Sequence, residues 1–162
     1  MVAGPKLVER AWSGLKLTKT ELGGMHIHNL NGVCHNLAVD EDDALQQIQR
    51  FLSFLPQNVW ELAPVVKCGD DPNRMAGELS SIIPNSRSEG YDMRRVLSLV
   101  FDTGSIFEMK RNYGPSLITV FARLNGQAVG CFANDCSHYA GSMSADASKK
   151  TQRFIGMFPS LA

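Results

Sequence analysis

The sequence predicts an α/β fold in which several helices accompany a β-hairpin. Three observations carry this prediction. A helical apolar period follows an acidic cluster at residues 40–43, and a second helical pattern covers residues 144–157. Between them, Asn125-Gly126 separates two extended runs, and this dipeptide is typical of tight hairpin turns. One hairpin and one helix cannot cover both faces of a sheet, so we expect an incomplete domain.

The N-terminal quarter carries weaker signals. Pro5 suits the first turn of a helix, because its φ angle is fixed near the helical value, and a short apolar stripe follows it as far as Trp12. The pair Gly23-Gly24 then interrupts the pattern. The next four residues, Met25-His26-Ile27-His28, alternate in polarity and weakly favour a strand.

The strongest helix signal begins at Asp40. Four acidic residues, 40–43, stand where carboxylates favour the positive end of the helix dipole. Pro56 ends the helix. Six residues recur on one apolar face of the pattern, namely Ala44, Leu45, Ile48, Phe51, Leu52 and Leu55. Such a stripe needs a partner to cover it.

The region 57–90 resembles a linker, because it is loop-like and prolines are spaced through it. Asp92 then predicts the N-cap of a short helix. Three strands are expected after it, at Ile106–Lys110, Ser116–Arg123 and Gln127–Ala133.

The closing helix pattern has two faces. One carries Ala147, Thr151, Phe154 and Ile155, and the other carries Lys149, Lys150 and Arg153. We interpret the basic side as a solvated face, in preference to a contact for phosphate groups.

Composition excludes several classes of protein. The chain has 162 residues, of which 44% are hydrophobic and 20% charged, and this argues against intrinsic disorder. Sixteen basic and sixteen acidic residues leave no net charge to attract nucleic acid or an anionic membrane. No apolar run is long enough for a transmembrane helix, and no secretory signal opens the sequence. We therefore expect a cytoplasmic location.

Potential ligands and thiols give no strong site. The four cysteines lack the paired spacing of a zinc site, so we expect buried or free thiols. The densest group of potential metal ligands is His26, His28, Cys34 and His35, but a metal would need further ligands from elsewhere, and no metal is predicted.

Short motifs recur in order along nearly the whole chain. They are Ala3-Gly4-Pro5, Glu21-Leu22-Gly23-Gly24, His28 with Gly32-Val33 and Cys34-His35, Asp40-Glu41 with Ala44-Leu45, 51–56, Ile83-Pro84, 91–94, Phe107-Glu108, Tyr113-Gly114, 121–123, Gly126 with Val129-Gly130, Ala133-Asn134, and Lys150 with Arg153-Phe154. The ordered set resembles the carboxyltransferase (beta) subunit of biotin-dependent acyl-CoA carboxylases. The resemblance lies within the propionyl-CoA carboxylase and methylmalonyl-CoA carboxyltransferase group.

The resemblance implies a partial crotonase-like architecture and three regions. Residues 1–56 would end an N-terminal carboxyltransferase domain, residues 57–90 would be the linker, and residues 91–162 would begin the C-terminal domain. The implied reaction moves a carboxyl group from carboxybiotin, on a biotin carrier protein, to a short-chain acyl-CoA such as propionyl-CoA. It also implies a homo-oligomer or carboxylase subunit, and the mitochondrial matrix as its location in a eukaryote.

The resemblance carries over no catalytic residue, because the family's oxyanion-hole segments align outside residues 1–162. The expectation is therefore a fragment or degenerate paralogue that is inactive alone. Weak candidates for proximity to substrate or cofactor are Gly23, Gly24, His28, Asn134 and Asp135. For Gly23-Gly24 and for Asn134-Asp135 the alternative is an ordinary turn. The alternative function is a non-catalytic assembly module that self-associates or docks on a carboxylase subunit. A weaker one is a small protein that binds or decarboxylates acyl-CoA.

Overall fold

A computed structural model describes residues 3–12, 14–58, 60–71, 73–86 and 88–157. The helices in these ranges are α1 (Pro5–Ala11), α2 (Lys19–Gly23), α3 (Met25–Leu30), α4 (Glu41–Leu52), α5 (Leu79–Ile82), α6 (Met93–Val100) and α7 (Ala145–Ile155). The strands are β1 (Phe107–Met109), β2 (Leu117–Leu124) and β3 (Gln127–Asn134). They form one antiparallel sheet in the order β1-β2-β3. The predicted combination of helices with a hairpin is confirmed.

The hairpin turn lies where the sequence predicts it. Asn125 and Gly126 have φ angles of 49° and 78°, so both central residues are left-handed, as the tightest hairpin turns require. The register runs from Leu124 opposite Gln127 to Leu117 opposite Asn134. The conformation of two turn residues thereby sets the register of two eight-residue strands.

The central strand β2 is buried on both of its faces. On one face, Ile118, Val120 and Ala122 form a cluster with Leu97 and Phe101 at the end of α6. On the other face, Phe121 belongs to a second cluster, together with Phe54, Phe107, Met109 and Phe154. Because side chains alternate along a strand, these clusters place α6 and α7 on opposite sides of the sheet.

The helix caps follow the sequence closely. Asp40 caps α4, since its carboxylate accepts the backbone N–H of Asp43 at 2.8 Å. Asp92 caps α6 and Ser144 caps α7 in the same way. Helix α4 ends at Leu52, before the predicted limit at Pro56.

Three sequence interpretations need correction or addition. Met25 to His28 form helix α3 and not a strand, because the His28 N–H donates to Gly24 O at 3.2 Å and four residues of alternation cannot specify a strand. Helix α2 was not predicted, although Thr18 and Glu21 form a capping box in front of it. Lys150 is not on a solvated face, since it is only 1% exposed.

The region 57–90 runs along the hairpin and the end of α6. Arg74 donates to the carbonyls of Leu99 and Phe101, and Val66 N–H donates to Gly126 O at 3.1 Å. The region therefore has its own tertiary contacts, although α5 is its one helix among the described residues. Across the described ranges, no helix combines the length and apolarity that crossing a bilayer requires.

Candidate functional site

A buried ion cluster joins α6, β1 and the end of β3. The Arg94 guanidinium binds the Glu108 carboxylate through two atoms, Nε at 2.9 Å and Nη2 at 2.7 Å. Its Nη1 reaches Asp135 Oδ2 at 2.6 Å. The side chain of Asp135 is 3% exposed, and that of Glu108 is 16% exposed. One cation on α6 thus binds a carboxylate on β1 and another on the residue that follows β3.

The contacts within this cluster favour the charged forms of Arg94 and Asp135. Burial acts to raise the pKa of Asp135, but hydrogen bonds from Arg94 and Ser137 outweigh it and hold that pKa below its ordinary value. The hydrogen bond to Glu108 raises the pKa of Arg94 against the opposing effect of burial. The cluster is therefore a fixed ion pair and not a proton-transfer site at neutral pH.

The loop after β3 has unusual backbone geometry. Tyr139, Ala140 and Gly141 all have positive φ angles, of 50°, 51° and 74°. A non-glycine residue in this region costs about 1–3 kcal/mol, and such strain concentrates at functional sites. Asn134 Nδ2 donates to Gly141 O, and Asp135 Oδ1 accepts Ser137 N–H at 3.0 Å. Both side chains therefore hold this strained loop in place.

Asn134 and Asp135 thus position the loop. Both carboxylate oxygens of Asp135 are engaged inside the protein, so this side chain does not fit a biotin ring as a direct binding group. Asn134 lies at the surface and uses its amide nitrogen to hold Gly141 O. Proximity of this loop to a substrate stays a prediction.

The N-terminal candidates form a separate group. A Cβ atom added to Gly24 would lie 2.7 Å from Thr20 O, so this glycine is required by the close passage between α2 and α3. His28 Nδ1 lies 3.4 Å from Asn31 Nδ2. Among the described residues, no hydrogen bond or ion pair joins Gly23, Gly24 or His28 to Asn134 or Asp135.

The region after α3 contacts the segment between β1 and β2 instead. Lys110 Nζ donates to Gly32 O at 2.7 Å, and the Tyr113 ring lies so close to Gly32 that a Cβ atom there would meet it at 2.6 Å. Asn112 Nδ2 donates to Asn29 Oδ1. None of these contacts places His28 in a ligand site.

Sequence reasoning missed the buried lysine of α7. Lys150 Nζ donates to Leu117 O at 2.6 Å. Burial, as the main cause, lowers the pKa of Lys150 to about 8. The signal was present, because Lys150 stands three residues after Ala147 and four before Phe154, which places all three on the buried face.

Replacing Lys150 with Met should change how stability depends on pH. Above about pH 8 the folded chain releases this proton, whereas the unfolded chain keeps it up to the ordinary pKa of 10.5. The unfolded state then binds more protons, so this group makes the free energy of unfolding rise with pH in that window. The slope approaches about 1.4 kcal/mol per pH unit.

The measurement is urea unfolding at several pH values between 7.5 and 10. The difference between the wild-type chain and Lys150→Met isolates this residue from other titrating groups. Lys149→Met is the matched control, because Lys149 is exposed on the same helix. Identical pH dependence in the wild type and Lys150→Met would contradict the assignment.

Potential metal-ligand atoms converge away from the histidines. Within the described ranges, ligand atoms of Cys68, Asp70 and Asp102 lie within 4.8 Å of one another, whereas His26, His28, Cys34 and His35 form no such group. Asp102 accepts the backbone N–H groups of the hairpin turn, and Asp70 accepts both Thr103 N–H and Oγ1–H. Asp102 therefore holds the hairpin turn, and Asp70 holds the neighbouring residue Thr103.

Comparison with known proteins gives a consistent result. Residues 1–161 match the family of the carboxyl transferase domain. The chain is 40% identical over 155 residues to the methylmalonyl-CoA decarboxylase subunit alpha of Veillonella parvula, which covers 95% of this chain and 30% of that protein. It is 38% identical over 155 residues to the propionyl-CoA carboxylase carboxyltransferase subunit of Haloferax mediterranei, with the same two coverages.

The fold gives the same answer. The crystal structure of transcarboxylase 12S, described as a hexamer assembly with substrate bound to a multienzyme core, matches with a TM-score of 0.91 and 36% identity. The match covers 99% of this chain and 32% of that one. The chain thus spans about a third of the length of these relatives. Both the unbroken sequence match and the shared crotonase-like fold lead to one conclusion, that this chain belongs to the carboxyl transferase family.

Proposed function

We propose that this chain is part of a carboxyltransferase that moves a carboxyl group between carboxybiotin and a short-chain acyl-CoA such as propionyl-CoA. The observation that carries the proposal is the match to the family over residues 1–161, without a break. The relatives are named for methylmalonyl-CoA or propionyl-CoA, and this supports the substrate class.

We further propose the division made from the sequence, with residues 1–56 ending one domain, 57–90 linking, and 91–162 beginning the next. The strained loop 135–141 would then lie on the biotin side, where Asn134 and Asp135 hold its shape. Carboxyl transfer needs backbone N–H groups aimed at developing oxyanions, and in this proposal other segments of the complete enzyme supply them. The working protein would be an oligomer that meets a biotin carrier protein.

A chimera tests this proposal. Residues 1–162 replace the corresponding segment of the methylmalonyl-CoA carboxyltransferase 12S subunit of Propionibacterium freudenreichii, which is 38% identical over 157 residues. We expect the chimera to transfer carboxyl groups and the isolated chain to show no turnover. Turnover by the isolated chain at the rate of a complete enzyme would overturn the fragment reading, and an assembled but inactive chimera would overturn the proposal itself.

Within the chimera, Asp135→Asn should reduce kcat by about 10- to 100-fold, because a displaced loop misplaces reacting groups. Lys149→Gln should leave activity unchanged, since Lys149 is exposed and outside the cluster. If the Asp135→Asn chimera keeps its full kcat, the loop is not part of the proposed site.

A second candidate function, the assembly module, is favoured by the apolar face of α4. Leu45, Ile48 and Leu52 are 57%, 54% and 56% exposed, so the stripe that the sequence predicts is largely uncovered. Light scattering of the isolated chain, with and without a complete carboxylase subunit, tests this function. We expect self-association or docking that Ile48→Glu weakens. A monomer that ignores the subunit would oppose it.

A further inference from the structure

Two adjoining cavities lie between α4, α7 and the sheet. The smaller has a volume of about 30 Å³ and is lined by four basic side chains, from His35, Lys110, Lys150 and Arg153, together with Thr119 and apolar groups. The larger has a volume of about 460 Å³. The two cavities adjoin, because His35, Met109 and Met157 line both.

The smaller cavity has an excess of positive charge. Lys110 is 6% exposed and Lys150 is 1% exposed, whereas Arg153 and His35 are exposed at the rim. No acidic side chain is among the residues that line it. Glu108 and Asp135 attract Lys150 electrostatically, but both carboxylates are already bound by Arg94.

The two buried ammonium groups have few partners. In the part of the chain that the structure describes, Lys110 Nζ bonds to Gly32 O at 2.7 Å, Lys150 Nζ bonds to Leu117 O at 2.6 Å, and neither forms a salt bridge. An ammonium carries three hydrogens, so each group has donors left over. Buried cations without a counter-charge are costly, and an anion in the adjacent cavity would offset that cost.

The size of the smaller cavity limits the anion. A cavity needs about 10–15 Å³ of this volume for each water-sized group. About 30 Å³ therefore accommodates two water-sized groups, such as the two oxygens of a carboxylate. A carboxylate is also opposite in charge to the three cationic side chains that line this cavity, those of Lys110, Lys150 and Arg153.

The larger cavity favours an apolar group. Ala44, Ile48, Phe51 and Phe107 are among its lining residues, and its volume lies within the usual range for sites that bind small molecules. A ligand that fills both cavities must join a carboxylate to an apolar tail.

We propose that the paired cavities bind a medium-chain fatty acid anion, with its carboxylate among Lys110, Lys150 and Arg153 and its tail in the larger cavity. The site is separate from the ion cluster and from the loop after β3. Fatty acid binding at this site does not depend on carboxyl transfer, so the proposal can be tested independently of the proposed function.

Calorimetric titration of the 162-residue chain with octanoate, acetate and octan-1-ol tests the proposal. Octanoate should bind about tenfold more tightly than either of the others, because acetate lacks the tail and octanol lacks the charge. Equal affinity for octanoate and octanol would overturn the proposal, since the basic groups would then contribute nothing.

Two variants locate the carboxylate. Arg153→Gln, at the exposed rim, should weaken octanoate binding by about fivefold or more without affecting folding, whereas Lys149→Gln on the same helix should leave it unchanged. Lys150→Met should abolish the preference for octanoate over octanol, and far-UV circular dichroism establishes whether that variant folds. If Lys150→Met does not fold, the test depends on Arg153→Gln. Unchanged octanoate binding by Arg153→Gln would overturn the proposal.

Methyl resonances locate the tail. Octanoate should shift the methyl signals of Met109 and Met157, which line both cavities. Shifts confined to Leu45 and Leu52 would mean that the fatty acid coats the exposed face of α4, and this would also overturn the proposal.

Discussion

Replacing Gly126 with Ala is expected to lower the free energy of unfolding by about 2–5 kcal/mol, through a left-handed backbone and steric overlap together. Gly126 has φ +78°, and a Cβ atom on it would lie 1.8 Å from Val66 O. That oxygen belongs to the backbone, so the chain segment at residues 64–66 must move to relieve the overlap. Its movement would break the bond from Val66 N–H to Gly126 O.

A matched glycine separates the two causes. Gly104 also has a positive φ, +72°, but nothing lies within 4 Å of its added Cβ atom. Gly104→Ala should therefore cost only the conformational part, about 1–2 kcal/mol. Urea unfolding measures both losses, and hydrogen exchange should show that the Val66 amide loses protection in Gly126→Ala alone. Equal losses in the two variants would contradict the steric argument.

Replacing Arg94 with Ala should be the other severe change. It would remove the guanidinium that binds the largely buried carboxylates of Asp135 and Glu108 at 2.6–2.9 Å, and breaking a buried ion pair from one side costs about 3–5 kcal/mol. The exposed Arg95 provides the control on the same helix. Its pair with Glu78 is about half exposed at both ends and is screened by solvent, so Arg95→Ala should destabilise the protein far less than Arg94→Ala.

The dependence of this loss on pH gives a further check. In the wild-type protein the lowered pKa of Asp135 contributes stability above its ordinary value of 3.8, and that contribution is lost as the pH falls through the folded pKa. Arg94→Ala removes the hydrogen bond that does most to lower the pKa of Asp135, so that burial is opposed only by the hydrogen bonds from Ser137. The pKa of Asp135 is then higher than in the wild-type protein, and protonation of Asp135 reduces the destabilisation of the variant as the pH falls. The stability gap between the two proteins should therefore narrow from pH 7 towards pH 4. A gap that stays constant would mean that Asp135 is not the group left unpaired.

The elements that were predicted correctly are those whose signals are local. The acidic cap and apolar stripe specify α4, Asp92 specifies the start of α6, and Asn125-Gly126 specifies the hairpin, because each signal acts within one or two turns of chain. Local signals also explain the error at residues 25–28, where the alternation is too short to compete with helical hydrogen bonds. The capping box at Thr18 and Glu21 was readable and was overlooked.

The candidate site was only partly predictable. Asn134 and Asp135 were singled out from the sequence, yet the role that the structure gives them depends on Arg94, which is 41 residues before Asp135, and on three left-handed residues of the loop. The cationic cavity was not predicted, because Lys110 and Lys150 become neighbours only when α7 packs on the sheet. The sequence does not distinguish a charged residue on the exposed face of a helix from one on its buried face.

The sequence by itself determined the family, helices α4, α6 and α7, the three strands, and the turn that sets the register of the sheet. Tertiary structure alone decided which charged groups are buried, which carboxylates share one guanidinium, and which face of α4 stays uncovered. The physical reason is that caps and turns depend on interactions between residues that are close in sequence. Burial and ion pairing depend on interactions between residues that folding brings together from distant parts of the chain.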